Sequence, residues 1–363
     1  MNNIISSLRA DLWERLQDTN KQILLYGTGN GADKICEVCA HYGIRVEGFF
    51  ASDDFVRGQS FRGKTVLRFS EACARYGADN ILVLVAFASA LPDVMANVQA
   101  VASVCETYIP EVPVRGDTLF TREYARAHLA ELEEVFALLA DERSRQVLCD
   151  TVRFRLTGEL SLLRATEDDK QTVMTTILRP ADYRSFCDVG AYDGDTIREL
   201  LAISPQLTRI HAIEPDRRNY RKLLAAVEGL PPHLNVTLHN CAAWDKEEAL
   251  LFDDSGNRNA GYDPTAKRTA AVQGRQIDAL LDGERVDYIK YDVEGSDAQA
   301  LCGSAATIRA QRPDLLLSLY HRTEDIFALP LLLHEICPDY KLRMRRYPYI
   351  PAWDLNLYAV TRG

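Results

Sequence analysis

Residues 186–196 read FCDVGAYDGDT. Apolar residues run into an acidic one, Asp188. Gly190, Ala191 and Gly194 then supply a turn of little side-chain volume, and TIRELLAI starts an amphipathic run behind them. The pattern predicts a buried strand, a tight turn and a helix start. Such a turn lets a ligand approach the backbone, and the free N–H groups of a helix start favour a negatively charged group. A nucleoside-bearing cofactor fits these requirements.

Working outward, residues 209–215 (RIHAIEP) form a short apolar strand ending in Glu214, about twenty residues past the glycine turn, where an acidic residue accepts hydrogen bonds from ribose hydroxyls. A solvated loop carboxylate is the plainer alternative. A third strand, NVTLHN, ends at Asn240, with Cys241 and Ala242 next; in a cofactor crevice this position borders the adenine. Residues 247–281 carry two strand-like runs around a polar, glycine-containing loop. Residues 286–303 (VDYIKYDVEGSDAQALCG) give a strand ending in Asp292, then Glu294, then a helix. A strand beside the first one brings Lys290, Asp292 and Glu294 near the cofactor's reactive end. DLLLSLYHRTED adds a fifth strand ending at Tyr320 and His321, and YKLRMRRYPYI with WDLNLYAV resembles a hairpin at the sheet edge. Trp353 reads as core packing rather than as site lining.

The bulk properties bound the answer. With 363 residues, 47% hydrophobic and 26% charged, the chain is long enough for two domains. A net charge of -10 opposes nucleic acid and anionic membrane as partners and favours small or neutral acceptors. The first residues read as an amphipathic helix without the pattern of a signal peptide, and no segment has the apolar length of a membrane span. Nine scattered cysteines suit a reducing cytoplasm. Cys36 and Cys39 fall within a helical pattern and are not expected to hold a metal.

The first half has its own alternating pattern. QILLY at 22–26 is followed by GTGNGA, in which Gly27, Gly29 and Ala32 match G-x-G-x-x-A, then a helix, the strand IRVEGFF and the strand NILVLVAFA. This predicts a small Rossmann-like unit of three or more parallel strands over residues 1–115. Its glycine turn leaves two readings open, a bound NAD or sugar nucleotide and a turn kept for strand-to-helix geometry. Residues 116–165 are strongly helical, poor in Pro and Gly, and read as a stiff connector. A third unit spans 166–363. The fold class expected is therefore α/β, two Rossmann-like domains joined by a helical connector, the second with a mostly parallel seven-stranded sheet.

FCDVGAYDGDT, HAIEPD, HNCAAWD and above all IKYDVEGSDAQALCG together resemble the FkbM family of S-adenosylmethionine-dependent methyltransferases, over about residues 166–360. The resemblance implies a class I methyltransferase fold and O-methylation of a hydroxyl on a small molecule or saccharide. It further implies that Asp188, Gly190, Ala191 and Gly194 surround the methionine and ribose portion, that Asp193 to Thr196 approach the amino-acid end, and that Tyr192 also binds the cofactor. Glu214 and Pro215 would hold the ribose, Asn240, Cys241 and Ala242 would flank the adenine, and Asp292 would border the cofactor's reactive end. Methyl transfer to a hydroxyl is helped by a base, for which His321 is the expected residue, with Asp292 and Glu294 orienting it or the acceptor. Lys290 and Arg322 would oppose a cation, so no metal is expected. Base-methylating enzymes resemble one another in an N-P-P-Y or D-P-P-Y sequence where this chain has DVEG. The competing reading from another class is a nucleotide-sugar or NAD-binding module or oxidoreductase using GTGNGA. Self-association through the N-terminal unit or the connector is left open.

Overall fold

The computed structural model describes residues 1–253 and 269–362. The first unit is a six-stranded sheet: β1 (Gln22–Tyr26), β2 (Val46–Ala51), β3 (Ser60–Phe61), β4 (Lys64–Arg68), β5 (Ile81–Val85) and β6 (Glu106–Tyr108), in the order β3-β4-β2-β1-β5-β6. All neighbours pair in parallel except β3 with β4. The three strands read from sequence are present, and β4 and β6, being short or half-exposed, lacked the apolar run that marks the others.

The second unit is built on β7 (Ser185–Val189), β8 (Arg209–Ile213), β9 (Asn235–His239), β10 (Ala242–Ala243), β11 (Glu248–Asp253), β12 (Thr269–Arg275), β13 (Tyr288–Tyr291), β14 (Asp314–Ser318), β15 (Lys341–Arg346) and β16 (Leu355–Val360). Seven of these form one sheet in the order β15-β16-β14-β13-β7-β8-β9, while β10, β12 and β11 form a small separate sheet. Only β16 runs against its neighbours. The expected edge hairpin is folded so that β16 lies inside the sheet and β15 takes the edge. The central strands are apolar throughout because both faces are covered. Cys187, Val189, Ile289, Tyr291, Leu315 and Leu317 face one layer, and Phe186, Ala212, Tyr288, Leu316 and Tyr358 the other.

Residues 116–165 are helical as read, but they do not act as a spacer. Leu132, Val135, Val147, Leu148, Val152 and Leu156, from the Leu129–Leu138 and Glu142–Thr157 helices, share one core with the sheet face of Val189 and Leu317. Ile4 and Ile5 of the Asn2–Ser7 helix join that core too. The apolar stripes that made these segments legible as helices need a partner surface, and the second sheet supplies it. In exchange, Ile350 and Ala352 of the second unit are buried with Tyr26, Phe50, Val83 and Val85 of the first, and Ser89 and Ile350 exchange backbone hydrogen bonds of 2.9 Å. The polar loop expected within 247–281 falls at 254–268, outside the described residues.

Candidate active site

A cavity of about 290 Å³ opens at the carboxyl ends of β7, β8, β13 and β14. Ligands of open α/β sheets bind at this end of the strands. On one side it is lined by Gly190, Tyr192, Thr196, Glu214, Pro215 and Ala242, on the other by Lys290, Asp292, Glu294, Ser296 and Ser318. Tyr320, Tyr347, Tyr349 and Trp353 form an aromatic wall, with ring centroids of Tyr320 and Tyr349 at 6.3 and 5.9 Å from that of Trp353. Asp354 and Asn356 stand beside it. Trp353 thus faces the cavity rather than the core expected for it. Tyr320 was read as a strand end, while Tyr347 and Tyr349 went unread because they lie on a turn between β15 and β16 with no motif of their own.

The first side is held by backbone geometry. Glu214 follows β8, and its carboxylate accepts from the N–H of Tyr192 at 2.9 Å and of Asp216 at 2.8 Å. Asn240 lies outside the lining and donates to the carbonyls of Glu214 and Pro215, at 2.9 and 3.2 Å. It therefore anchors the acidic turn instead of bordering a ligand. Ala242 reaches the cavity, whereas Cys241 points into the opposite core. Within the glycine turn, Ala191 is buried in the core, and Asp193 turns outward to Arg198 at 3.1 Å. Gly194 caps the Asp195–Ile203 helix with φ +80°.

Gly190 serves a different need from ligand approach. A Cβ there would lie 2.0 Å from the carbonyl oxygen of Asp292, and its φ is +88°. Glycine is required for β7 to pass beside β13, whose Asp292 N–H donates to Val189. This close passage places Asp188 and Lys290 directly side by side in register.

The second side is a buried charge network. Lys290 Nζ lies 3.6 Å from Asp188 and 3.5 Å from Asp292. Burial pushes the Asp188 carboxyl up to about 7, with Lys290 pulling the other way, and both its oxygens are shielded and accept no hydrogen bond. Burial likewise pushes Glu214 up to about 7 despite its two N–H donors. For Asp292, burial works upward but Lys290 and His321 hold its carboxyl well below the usual range. The Tyr320 hydroxyl donates to Asp292 at 3.2 Å.

His321 is fully buried and outside the cavity lining. Its Nδ1 is 2.9 Å from Asp297, and its Nε2 is 3.1 Å from Asp292, within ion-pair reach but off the line of a straight hydrogen bond. Burial would lower its pKa, yet Asp297 and Asp292 raise it well above the ordinary value. An imidazolium between two carboxylates has no lone pair to offer, which argues against the role of base expected for it. Asp297, His321 and Asp325 are close enough to share a metal ion. The 2.9 Å contact between two of them is a hydrogen bond that such an ion would have to displace.

The glycine turn of the first unit has no comparable site. Cβ atoms at Gly27 and Gly31 would meet Phe87 at 2.9 Å and the Ala86 carbonyl at 2.5 Å. Ile350 and Ala352 pack where the β1 and β5 ends meet. A second cavity, about 970 Å³, runs instead along the flank of the Asn30–His41 helix and residues 112–121. Gly27 and Gly31 therefore satisfy strand-to-helix packing, whereas a Cβ at Gly29 would meet nothing within 4 Å.

Residues 188–347 match the family model described as the methyltransferase FkbM domain. A crystal structure of a methyltransferase FkbM from Methylobacillus flagellatus KT has a TM-score of 0.71 at 22% identity, covering 98% of this chain and 92% of that one. The shared fold therefore includes the N-terminal unit. Aeropyrum pernix fibrillarin in complex with natively bound S-adenosyl-L-methionine matches 52% of this chain and 72% of its own at 16% identity and TM-score 0.34. A precorrin-6y C5,15-methyltransferase from Geobacter metallireducens GS-15 matches 54% and 90%, at 12% and 0.34. Neither of these two carries weight for this protein. No curated protein matches the sequence.

Proposed function

We propose that the protein is an S-adenosylmethionine-dependent O-methyltransferase acting on a hydroxyl of a saccharide or another small polyol-like molecule. One observation carries the reading: a single cavity joins Glu214 and the 190–196 turn on one side to Asp292, Glu294 and an aromatic wall on the other. The residues fit the cofactor. Glu214 keeps acceptor capacity at the cavity wall next to a turn followed by a helix start, which suits ribose hydroxyls and the polar end of an amino acid, while Asp188 lies fully buried behind the lining. Gly190, Tyr192, Thr196, Glu214, Pro215 and Ala242 would hold it. When bound, it supplies an electrophilic methyl group on a sulfonium.

The chain's own residues then bind and orient the acceptor. The aromatic faces of Trp353, Tyr320 and Tyr349 offer a flat apolar surface of the kind a sugar ring covers, while Asp354, Asn356 and Ser318 can accept or donate to its hydroxyls. Positioning the attacking oxygen provides much of the rate. Metal independence is part of the proposal, since Lys290 and an imidazolium at His321 already neutralise the acidic cluster.

Calorimetric titration tests the cofactor: micromolar S-adenosylmethionine binding that Glu214→Ala weakens at least tenfold, with no NAD(H) binding, is expected. NAD(H) binding without S-adenosylmethionine binding would overturn the reading. A tritiated-methyl transfer screen against a mixture of UDP-sugars, run with and without a chelator, tests the acceptor class and the metal.

A further inference from the structure

We propose that Glu294 accepts the acceptor's proton and that His321 is a positioning residue, a fixed cation that holds Asp292 and Asp297 in place. The assignment rests on the methyltransferase reading above and goes beyond it in naming the base.

The geometry separates the four candidates. The ring nitrogens of His321 reach only carboxylates, and the residue stands behind the lining, against Asp292 and the Tyr320 ring, rather than in it. Asp292 is held between Lys290, Tyr320 and His321, and the two cations keep its basicity low. Asp297 accepts from the N–H groups of Val293 and Gly295 as well as from His321 and is fully buried. Glu294 differs from all three. It lines the cavity, its Oε2 is shielded from solvent, and that oxygen has no hydrogen-bond partner among the described residues.

The backbone shows what places it there. Glu294 has φ +53°, a left-handed conformation that non-glycine residues adopt rarely, two residues after Asp292 and immediately before Gly295 at φ +92°. Arg115 closes the far side of this turn: its side chain lies against Gly295, and its N–H donates to the His321 carbonyl at 2.8 Å. Arg322 donates to the Gly295 carbonyl at 2.7 Å. A strained backbone fixed from several directions at a cavity wall is a common property of working residues.

The charged groups facing Glu294 are His321, Asp292, Arg115 and Asp297, with Lys290 and Arg322 beyond them. Burial raises its carboxyl from the ordinary value, against the attraction of His321 and Arg115, which makes it a stronger base than a solvated glutamate. In the step, the acceptor O–H bond breaks and its proton passes to a Glu294 oxygen. The acceptor oxygen's electron pair forms the new O–CH₃ bond, and the S–CH₃ bonding pair stays on sulfur as a neutral thioether.

Two measurements on the ligand-free full chain test the assignment without turnover. Nitrogen NMR of the imidazoles should show His321 doubly protonated from pH 6 to 9; deprotonation inside that interval overturns its role as a fixed cation. Infrared difference spectra between pH 4 and 9 should contain the C=O band of a protonated carboxyl titrating above the exposed carboxylates that is missing in Glu294→Gln. If Glu294 titrates with the exposed carboxylates instead, the base assignment fails. With the UDP-sugar mixture, Glu294→Gln should keep S-adenosylmethionine affinity and lower transfer by about 10²–10⁴-fold, with loss of the acidic limb of the pH profile. Loss of less than threefold overturns Glu294 alone. Absence of cofactor binding by the parent protein would overturn the methyltransferase reading, and the two failures are thus distinct.

Discussion

Glu214 carries the proton balance of the cofactor side. Its folded pKa, about 7, is raised above the value of 4.5 for a free glutamate, so its contribution to ligand-free stability is present at low pH and lost as pH rises through 7. Ribose hydroxyls donate to the ionised form, so S-adenosylmethionine affinity is expected to rise from pH 6 to pH 8. Calorimetry should show this rise reduced in Glu214→Gln but not abolished, because Asp188 titrates in the same interval. A pH-independent affinity would contradict the assignment. Glu294 gives a second test at this scale. Replacing a residue at φ +53° by glycine relieves the left-handed strain and removes a buried, unpaired carboxyl oxygen. Glu294→Gly should therefore gain about 1 kcal/mol of stability at pH 8, read as a rise of roughly 2 °C in Tm, while methyl transfer falls. Asp188, Glu214 and Asp292 were legible as strand-end acids because alternation and turn chemistry point to them. The partners of His321 were not, since Asp297 reaches it across 24 residues of chain.

At the scale of elements, the turn between β15 and β16 supplies much of the aromatic wall, the acceptor side of the proposed reaction. Arg346, fully buried at the end of β15, donates to the carbonyls of Tyr347 and Tyr349, at 2.9 and 3.0 Å, and to Thr166 Oγ1 at 2.7 Å. Burial lowers its pKa to about 10, with Glu167 at 3.3 Å opposing. Arg346→Ala leaves those carbonyls unsatisfied and should cost about 3–5 kcal/mol, measurable by urea unfolding. Trp353→Ala tests the wall itself without that loss. It should raise the acceptor KM about tenfold and leave S-adenosylmethionine affinity within twofold; an unchanged KM would remove Trp353 from acceptor binding. Gly190 offers no such separation, since any side chain there strikes the Asp292 carbonyl.

On the scale of the whole molecule, the two units share their cores. The Asn2–Ser7 helix and the 122–157 helices cover one face of the second sheet, and the 350–352 segment is buried in the first unit. Arg155 and Glu111, 2.6 Å apart and nearly inaccessible, tie the joint. Differential scanning calorimetry should record one transition rather than two, and a fragment lacking residues 1–117 should show no cooperative transition. Two independent melting transitions would sink this expectation. Sequence alone determined the strand, turn and helix pattern of both units, the acids at the ends of β7, β8 and β13, and the FkbM resemblance. All of these rest on local periodicity and backbone chemistry, which neighbouring residues encode. Only the tertiary structure decided that Gly190 is there for strand passage, that the connector is core, that His321 is enclosed by two carboxylates and that Trp353 faces the cavity. Each of those depends on side chains brought together from distant parts of the chain, and packing, unlike periodicity, leaves no local mark.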